Sequence, residues 1–290
     1  MSNRNLSILL LIIASVGISF GGLIMRNINN ADAWQISFFR SLGFIFSVTI
    51  ILFHKYRFNI FKNFFNIGII GVLGGCLLMI AHLLFIFSFY KTTIANTLFT
   101  MSSIPFITLI FSAIFLRERI SFRTIFIMVI AFTGIFLMLN DGITNTSFLG
   151  KILPIGCAIC FSGFLTIVRK NNSVDMMPTS LIAGVSLAFF TSIIKFGNIS
   201  IPISEIFLCL FWGATLHGFM NIVFIFSTKY LYASEVSLFM LLEFCLGPFW
   251  VWIFLDEIIS SKTFIGGVIV LLSVSTYSFL EFTDNKNKFN

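Results

Sequence analysis

Ten uninterrupted apolar runs, each about 20 residues long, occupy most of the sequence, at residues 6–25, 33–53, 64–89, 93–116, 124–140, 148–168, 179–196, 206–228, 232–255 and 263–281. A run of that length matches the hydrocarbon thickness of a bilayer, where only α-helices and closed β-barrels satisfy all of their backbone hydrogen-bonding groups. The runs show no alternation of polar and apolar residues, so helices are the solution. Composition agrees: with 58% hydrophobic and 10% charged residues, a chain of 290 residues has too few polar groups to cover a water-soluble globule. The fold class expected is therefore all-α integral membrane, with ten transmembrane helices. A formal net charge of +7 would suit a nucleic-acid partner, but the basic residues are scattered between the runs and form no block. No nucleic acid is expected; the lipid bilayer is. Residues 2–11 have the look of a signal-peptide start, yet no small-residue cleavage site follows Met25, and the segment reads as the first span.

The chain is also duplicated. Phe85-Ile86-Phe87-Ser88 recurs as Phe224-Ile225-Phe226-Ser227, and Ile114-Phe115-Leu116-x-Glu118-x-Ile120-Ser121 recurs as Ile253-Phe254-Leu255-x-Glu257-x-Ile259-Ser260, at a constant offset of 139 residues. The register holds through Thr124/Thr263 and Val129-Ile130/Val268-Ile269. It divides the chain into a first five-helix repeat at 1–142, a second at 143–282, and a polar tail at 283–290 that reads as disordered and cytoplasmic. Because five is odd, two copies of one unit enter the membrane in opposite senses, which makes two inverted five-helix repeats. With both termini cytoplasmic, the inside segments hold 12 Lys and Arg residues and the outside segments 5, so the charge bias favours that orientation. One position separates the copies sharply: Ile104 in the first stands where the second has Glu243.

Leu116-Arg117-Glu118 and Leu255-Asp256-Glu257 each close an apolar helix, and Leu242-Glu243 is followed by Leu246-Gly247-Pro248-x-Trp250. In these features the chain resembles the drug/metabolite transporter superfamily, EamA type, over nearly its whole length. Phe244 stands where that family often has proline directly after the glutamate, with Pro248 four residues on. The resemblance implies a ten-helix secondary transporter of the bacterial cytoplasmic (inner) membrane. Its two halves would rock about a midplane site lined by spans one, three, four, six, eight and nine. Members of the family carry amino acids, purines, cofactors and other small polar metabolites, inward or outward.

Charges within hydrocarbon cost about 2.5–3.5 kcal/mol each on insertion scales, so each needs a partner or a wet cavity. Arg40 lies about two turns into the second span and resembles an arginine often found there in the family. Snorkelling to headgroups, a fixed ion pair and a substrate contact are the roles open to it. Glu243 sits near the middle of its span, beyond reach of water past the lipid, and shares a helix face with Met240, Gly247 and Trp250. It is expected either to bind substrate, with proton coupling conceivable, or to hydrogen-bond between helices. His82 and the His217/Asn221 pair lie inside apolar runs, where they would bind a polar substrate, relay protons or bond a neighbouring helix. Trp212, Asn96 and Thr100 are further lining candidates. Pro105 and Pro248 fall inside the fourth and ninth spans, where a missing backbone donor can kink a helix. Gly17-x-x-x-Gly21, Gly68-x-x-Gly71-x-x-Gly74-Gly75 and Gly266-Gly267 read as close helix contacts.

Several classes are disfavoured. All five cysteines lie in apolar runs, which implies packing and no disulfide framework, and three histidines without HExxH do not make a zinc site. An intramembrane aspartyl protease needs two aspartates inside spans; Asp32, Asp141, Asp175, Asp256 and Asp284 all fall at ends or in loops. Cys160-Phe161-Ser162-Gly163 lacks the first glycine of a rhomboid-type Gly-x-Ser-Gly. No phosphate-binding loop is present and the loops are short, so neither a cofactor nor an enzymatic activity is expected. The function expected is secondary active transport of a small polar metabolite, an amino acid or related zwitterion being suited to one carboxylate and one guanidinium. Protons are a conceivable coupling ion, and a monomer or homodimer the assembly. A lipid or lipid-linked-sugar flippase is the alternative, and would want a cationic groove.

Overall fold

The computed structural model describes residues 3–57, 60–92, 94–118, 121–139, 148–196, 198–255 and 261–287, and every regular element among them is helical. α1 (Asn3–Ile18) and α2 (Gly21–Arg26) make one apolar rod interrupted by a turn at Ser19 and Phe20. α3 (Ala33–Tyr56) opens on a capping box. The Asp32 side chain accepts from the Trp34 and Gln35 N–H groups, while the Gln35 side chain accepts from the Asp32 N–H. It ends at Arg57, where φ of +49° takes the backbone out of the helical region. Short α4 (Ile60–Asn66) leads to α5 (Gly68–Lys91), whose first residue has φ of +55°, a conformation that glycine adopts without penalty.

The fourth apolar run is split. α6 (Ile94–Met101) stops at a turn through Ser102 and Ser103, and α7 (Ile104–Phe111) restarts with Pro105 in its first turn, where no backbone donor is needed. A π-helical turn (Ser112–Leu116) follows and ends at Arg117, φ +55°. Then come α8 (Phe122–Leu139), α9 (Phe148–Lys170) and α10 (Pro178–Ile194). α11 (Ile203–Phe211) runs through a π-helical stretch (Trp212–Phe219) into α12 (Met220–Ser227). α13 (Ala233–Phe239) and α14 (Leu241–Leu255) are separated by a turn at Met240, and α15 (Ser261–Asn287) closes the chain. Five of these rods are long and apolar enough to cross a bilayer: Asn3–Arg26, Ala33–Tyr56, Gly68–Lys91, Phe148–Lys170 and Ile203–Ser227. Ile104–Leu116, Phe122–Leu137, Pro178–Ile194 and Phe264–Tyr277 are shorter apolar helices.

Two local readings of the sequence differ from the structure. The ninth run breaks at Met240, eight residues before Pro248, and α14 continues through Pro248. The break is an i→i+3 turn, with the Met240 N–H on the Ser237 carbonyl and the Glu243 N–H on that of Met240. α15 also extends past Thr283 to Asn287, where the polar sequence alone predicted a disordered tail. The repeated Leu255-Asp256-Glu257 element falls largely outside the described residues.

The helices pack in reciprocal pairs. α5 lies on α9 as α12 lies on α1, and α6 and α7 meet α9 as α13 and α14 meet α1. α3 packs on the 212–219 stretch as α10 packs on α5, while α7 meets α13 and α8 meets α15. Each of these contacts is thus matched by one in which the roles of the halves are exchanged.

Polar side chains tie down both ends of the bundle. At the end of α3 that carries Lys55, Arg4 pairs with Glu235 at 3.0 Å, Arg169 with Glu118 at 2.7 Å, and Lys55 and Lys229 with Asp175. Burial opposes the charge on Asp175, but the two ammonium groups outweigh it and hold the carboxyl below its usual range. At the opposite end Glu205, 4% exposed, accepts from the backbone N–H groups of Asn29, Asn30 and Ala31 and from the Asn30 side chain. Lys195 pairs with Asp32 beside it.

Candidate functional site

The site begins with an unusually close helix contact. A methyl group on Gly213 would stand 1.9 Å from the Arg40 carbonyl oxygen, and one on Gly43 would stand 2.1 Å from that of Leu210. Only glycine permits backbones to approach so closely. The contact presses α3 onto the π-helical stretch, and it seats His217 against the Arg40 guanidinium.

Arg40 is 2% exposed. Its Nη1 lies 3.0 Å from His217 Nε2, and its Nη2 donates to the His82 carbonyl oxygen at 3.1 Å. The guanidinium carbon stands 5.2 Å from the Trp212 ring centroid and 5.7 Å from that of Phe85, within cation–π range. Since a guanidinium only donates, His217 Nε2 must accept, which places the imidazole proton on Nδ1. That Nδ1 is itself buried and has no partner among the described residues. Arg40, His82 and His217 also line a tight crevice with Ser41, Phe44, Gly184 and Leu187.

The cavity at Glu243 measures about 50 Å³, room for a few ordered waters. It is lined by Ile18 of the first rod, Ala81, His82 and Phe85 of α5, Met101 of α6, and Cys157 and Phe161 of α9. His217, Asn221, Phe224, Met240 and Glu243 complete it. These residues come from the six segments that the family resemblance implies. Four pairs of them, Ile18/Cys157, His82/Asn221, Phe85/Phe224 and Met101/Met240, are each separated by the 139-residue repeat offset. The cavity therefore sits where equivalent positions of the two halves converge.

Glu243 is 8% exposed, and that exposure is to the cavity. It follows the Met240 turn directly, so the helix break aims it inward. Among the described residues its carboxylate makes no hydrogen bond or ion pair, although it lies in the field of Arg40. Its counterpart Ile104 is fully buried at the start of α7.

The other sequence candidates are placed as follows. His82, His217, Asn221 and Met240 join Glu243 at the cavity, with Asn221 Oδ1 accepting from Ser180 Oγ of α10 at 2.7 Å. Arg40 lies behind the histidines, with Trp212 stacked on it and away from the cavity. Trp250 donates to Ser19 Oγ at 2.6 Å and stacks on Phe20 with ring centroids 4.3 Å apart, so it wedges against the first rod and does not join the lining. The side chain of Asn96 falls outside the described residues. Sequence reasoning missed Phe85, Phe161, Phe224, Met101 and Ile18, and assigned Cys157 to packing. It does pack, its thiol donating to the Ala81 carbonyl at 3.3 Å, and it also lines the cavity.

Comparison with known proteins bears on what such a site belongs to. No curated protein sequence matches this one. One solved crystal structure superposes over 94% of this chain and 96% of its own, with a TM-score of 0.79 at 13% identity, a likeness that shows the fold alone. Residues 5–140 match the EamA-like transporter family, a match consistent with the drug/metabolite transporter superfamily.

Proposed function

We propose that this protein is a secondary active transporter that carries a small polar, amine-bearing metabolite by alternating access at the cavity of Glu243. The observation that carries the reading is a carboxylate without a partner among the described residues, facing a water-sized hollow among apolar helices. Such a charge is tolerated inside a bilayer where a cavity hydrates it or a ligand pairs with it. The reciprocal packing supports a chain of ten spans in two inverted halves, and the convergence of equivalent positions on one hollow is what rocking about a central site requires. The breaks at Ser102–Ser103 and Met240 give each half a joint beside the cavity.

The same reading makes the protein a carrier and not an enzyme, in a bacterial inner membrane. Its Arg4, Lys55, Arg169 and Lys229 end would be cytoplasmic, in line with the distribution of basic residues. A flippase for lipid-linked sugars would want a cationic groove; Arg40, the cation deepest in the bundle among the described residues, is occupied by His217 and the His82 carbonyl. The test is a metabolite screen in proteoliposomes, wild type against Glu243→Gln, with and without a pH gradient. Transport by the wild type that falls at least about tenfold in a folded Glu243→Gln protein supports the reading; undiminished transport by that variant overturns the role of Glu243.

A further inference from the structure

We infer that the cavity selects an organic monocation, a protonated amine on an apolar, aromatic body, over a zwitterion or an anion of the same shape. This substrate class rests on the transport reading above and deepens it. A carboxylate and a guanidinium in one site would suit a zwitterion, but the geometry gives them different situations. The two terminal nitrogens of Arg40 are engaged by His217 Nε2 and the His82 carbonyl oxygen, with Trp212 and Phe85 over the guanidinium. Arg40 does not line the cavity; Glu243 does. Among the described residues, the one formally charged side chain facing the hollow is therefore negative.

Among the described residues, none of the other polar side chains at the cavity, His82, His217 and Asn221, is a lysine or arginine that would pair with a carboxylate. His217 faces the guanidinium with its accepting nitrogen, and its Nδ1 is buried against protein. Asn221 has its oxygen held by Ser180, which leaves a neutral amide N–H₂ as its free donor. A substrate carboxylate would give up its hydration for neutral partners beside Glu243, a large penalty among apolar walls. A substrate ammonium would supply the ion pair that Glu243 lacks. Phe85, Phe161 and Phe224, with Met101 and Met240, form the rest of the wall. Aromatic faces and thioethers accommodate an apolar body and add cation–π attraction for its charged end.

Three compounds with a common phenylalkyl body test this: phenethylamine, phenylalanine and 3-phenylpropanoate. Binding is measured by titration of the purified protein in detergent, and uptake by proteoliposomes. Phenethylamine should bind at least about tenfold more tightly than phenylalanine, with 3-phenylpropanoate weakest. Glu243→Gln should remove the preference, and Glu243→Asp should retain it. Tighter binding of phenylalanine or 3-phenylpropanoate, equal binding of all three, or no binding of the amine overturns the inference. Uptake separates it from the transport reading. Preferential carriage of phenylalanine leaves a transporter of the wrong predicted selectivity, whereas an amine that binds selectively and is never carried refutes transport and leaves the charge selection standing.

Discussion

The two halves of this chain build opposite walls of one cavity, and the walls agree in shape while differing in charge. Ile18 faces Cys157's role in the other half, His82 that of Asn221, Phe85 that of Phe224, and Met101 that of Met240. At three further positions one half has an ionisable side chain where the other has none. Glu243 answers to Ile104, His217 to Leu78, and Arg40 to Thr179, each at the same 139-residue offset. Ile104, Leu78 and Thr179 are all fully buried, so at each pair one half, the first for Ile104 and Leu78 and the second for Thr179, keeps an uncharged packed residue. The opposite half places an ionisable group at each: Glu243 and His217 of the second half line the hollow, and Arg40 of the first stands behind His217. The repeated positions thus set the shape of the cavity, and the three departures set its chemistry. A duplicated scaffold can acquire a polar site this way without changing its backbone plan.

Making the halves alike at these positions is the strongest way to break the comparison. Glu243→Ile copies the first half into the second. Transport should be abolished, while the temperature of unfolding in detergent should rise, because a buried carboxylate without a partner is replaced by apolar packing worth about 1–3 kcal/mol. Loss of transport together with loss of stability would show that Glu243 is a structural hydrogen-bonding group. His217→Leu comes next. It removes the acceptor of Arg40 Nη1 and leaves a buried cation short of a partner, at a cost of about 3 kcal/mol. Adding Arg40→Thr should recover much of that loss, because it removes the buried cation and leaves the uncharged residue types that the equivalent buried positions Leu78 and Thr179 hold. A double variant no more stable than His217→Leu alone would mean that the two side chains do not act as a pair.

The two reciprocal glycine contacts give a sharper and smaller test. Gly213 and Gly74 are equivalent by the repeat, yet a methyl on Gly213 would meet the Arg40 carbonyl at 1.9 Å, whereas one on Gly74 would meet the Thr179 and Ile167 methyl groups at 3.2 and 3.3 Å. Gly213→Ala must push two backbones apart and should destabilise by about 1–3 kcal/mol. It should also weaken substrate binding, because Arg40 and His217 separate with the helices. Gly74→Ala meets side chains that can shift a few tenths of an ångström, and alanine is favoured over glycine within a helix by up to about 1 kcal/mol. Its unfolding temperature should stay within a few degrees of the parent. Equal effects of the two substitutions would mean that the α3 contact is no closer than its counterpart.

Much of this arrangement was legible in the sequence. Apolar run lengths marked the helical rods, and burial cost singled out Arg40 and Glu243. The repeat offset also relates four of the cavity pairs. Other features left little trace. The Met240 turn carries neither proline nor glycine, whereas the nearby Pro248, the visible breaker, stays inside α14. Gly43 and Gly213 are isolated glycines outside the paired-glycine patterns, although they make the closest contact in the site. Glu205 sits at the edge of its apolar run and reads as a loop charge, but it gathers three consecutive backbone N–H groups from a segment about 175 residues earlier in the chain. Periodicity reports which residues are apolar along one helix. It carries no information on which distant backbone a lone glycine or carboxylate will meet.

The smallest effect concerns the positions at which the halves agree. Met101 and Met240 are 5% and 6% exposed, line the same cavity and each stand at the break of their own half. Methionine and leucine are close in volume, so either substitution to leucine should change stability by less than about 1.5 kcal/mol. If the cavity lies on the relation between the halves, Met101→Leu and Met240→Leu should alter amine affinity in the same direction and by similar factors, read in the same titration as the wild type. Each loses one polarisable thioether at a matching distance from the shared hollow. The neighbouring carboxylate introduces one asymmetry, because Met240 stands three residues from Glu243 and Met101 three from Ile104. A larger effect at Met240 that vanishes in a Glu243→Gln background would place the difference in the contact with Glu243. A larger effect that persists there would show that the two walls are unequal in shape as well as in charge.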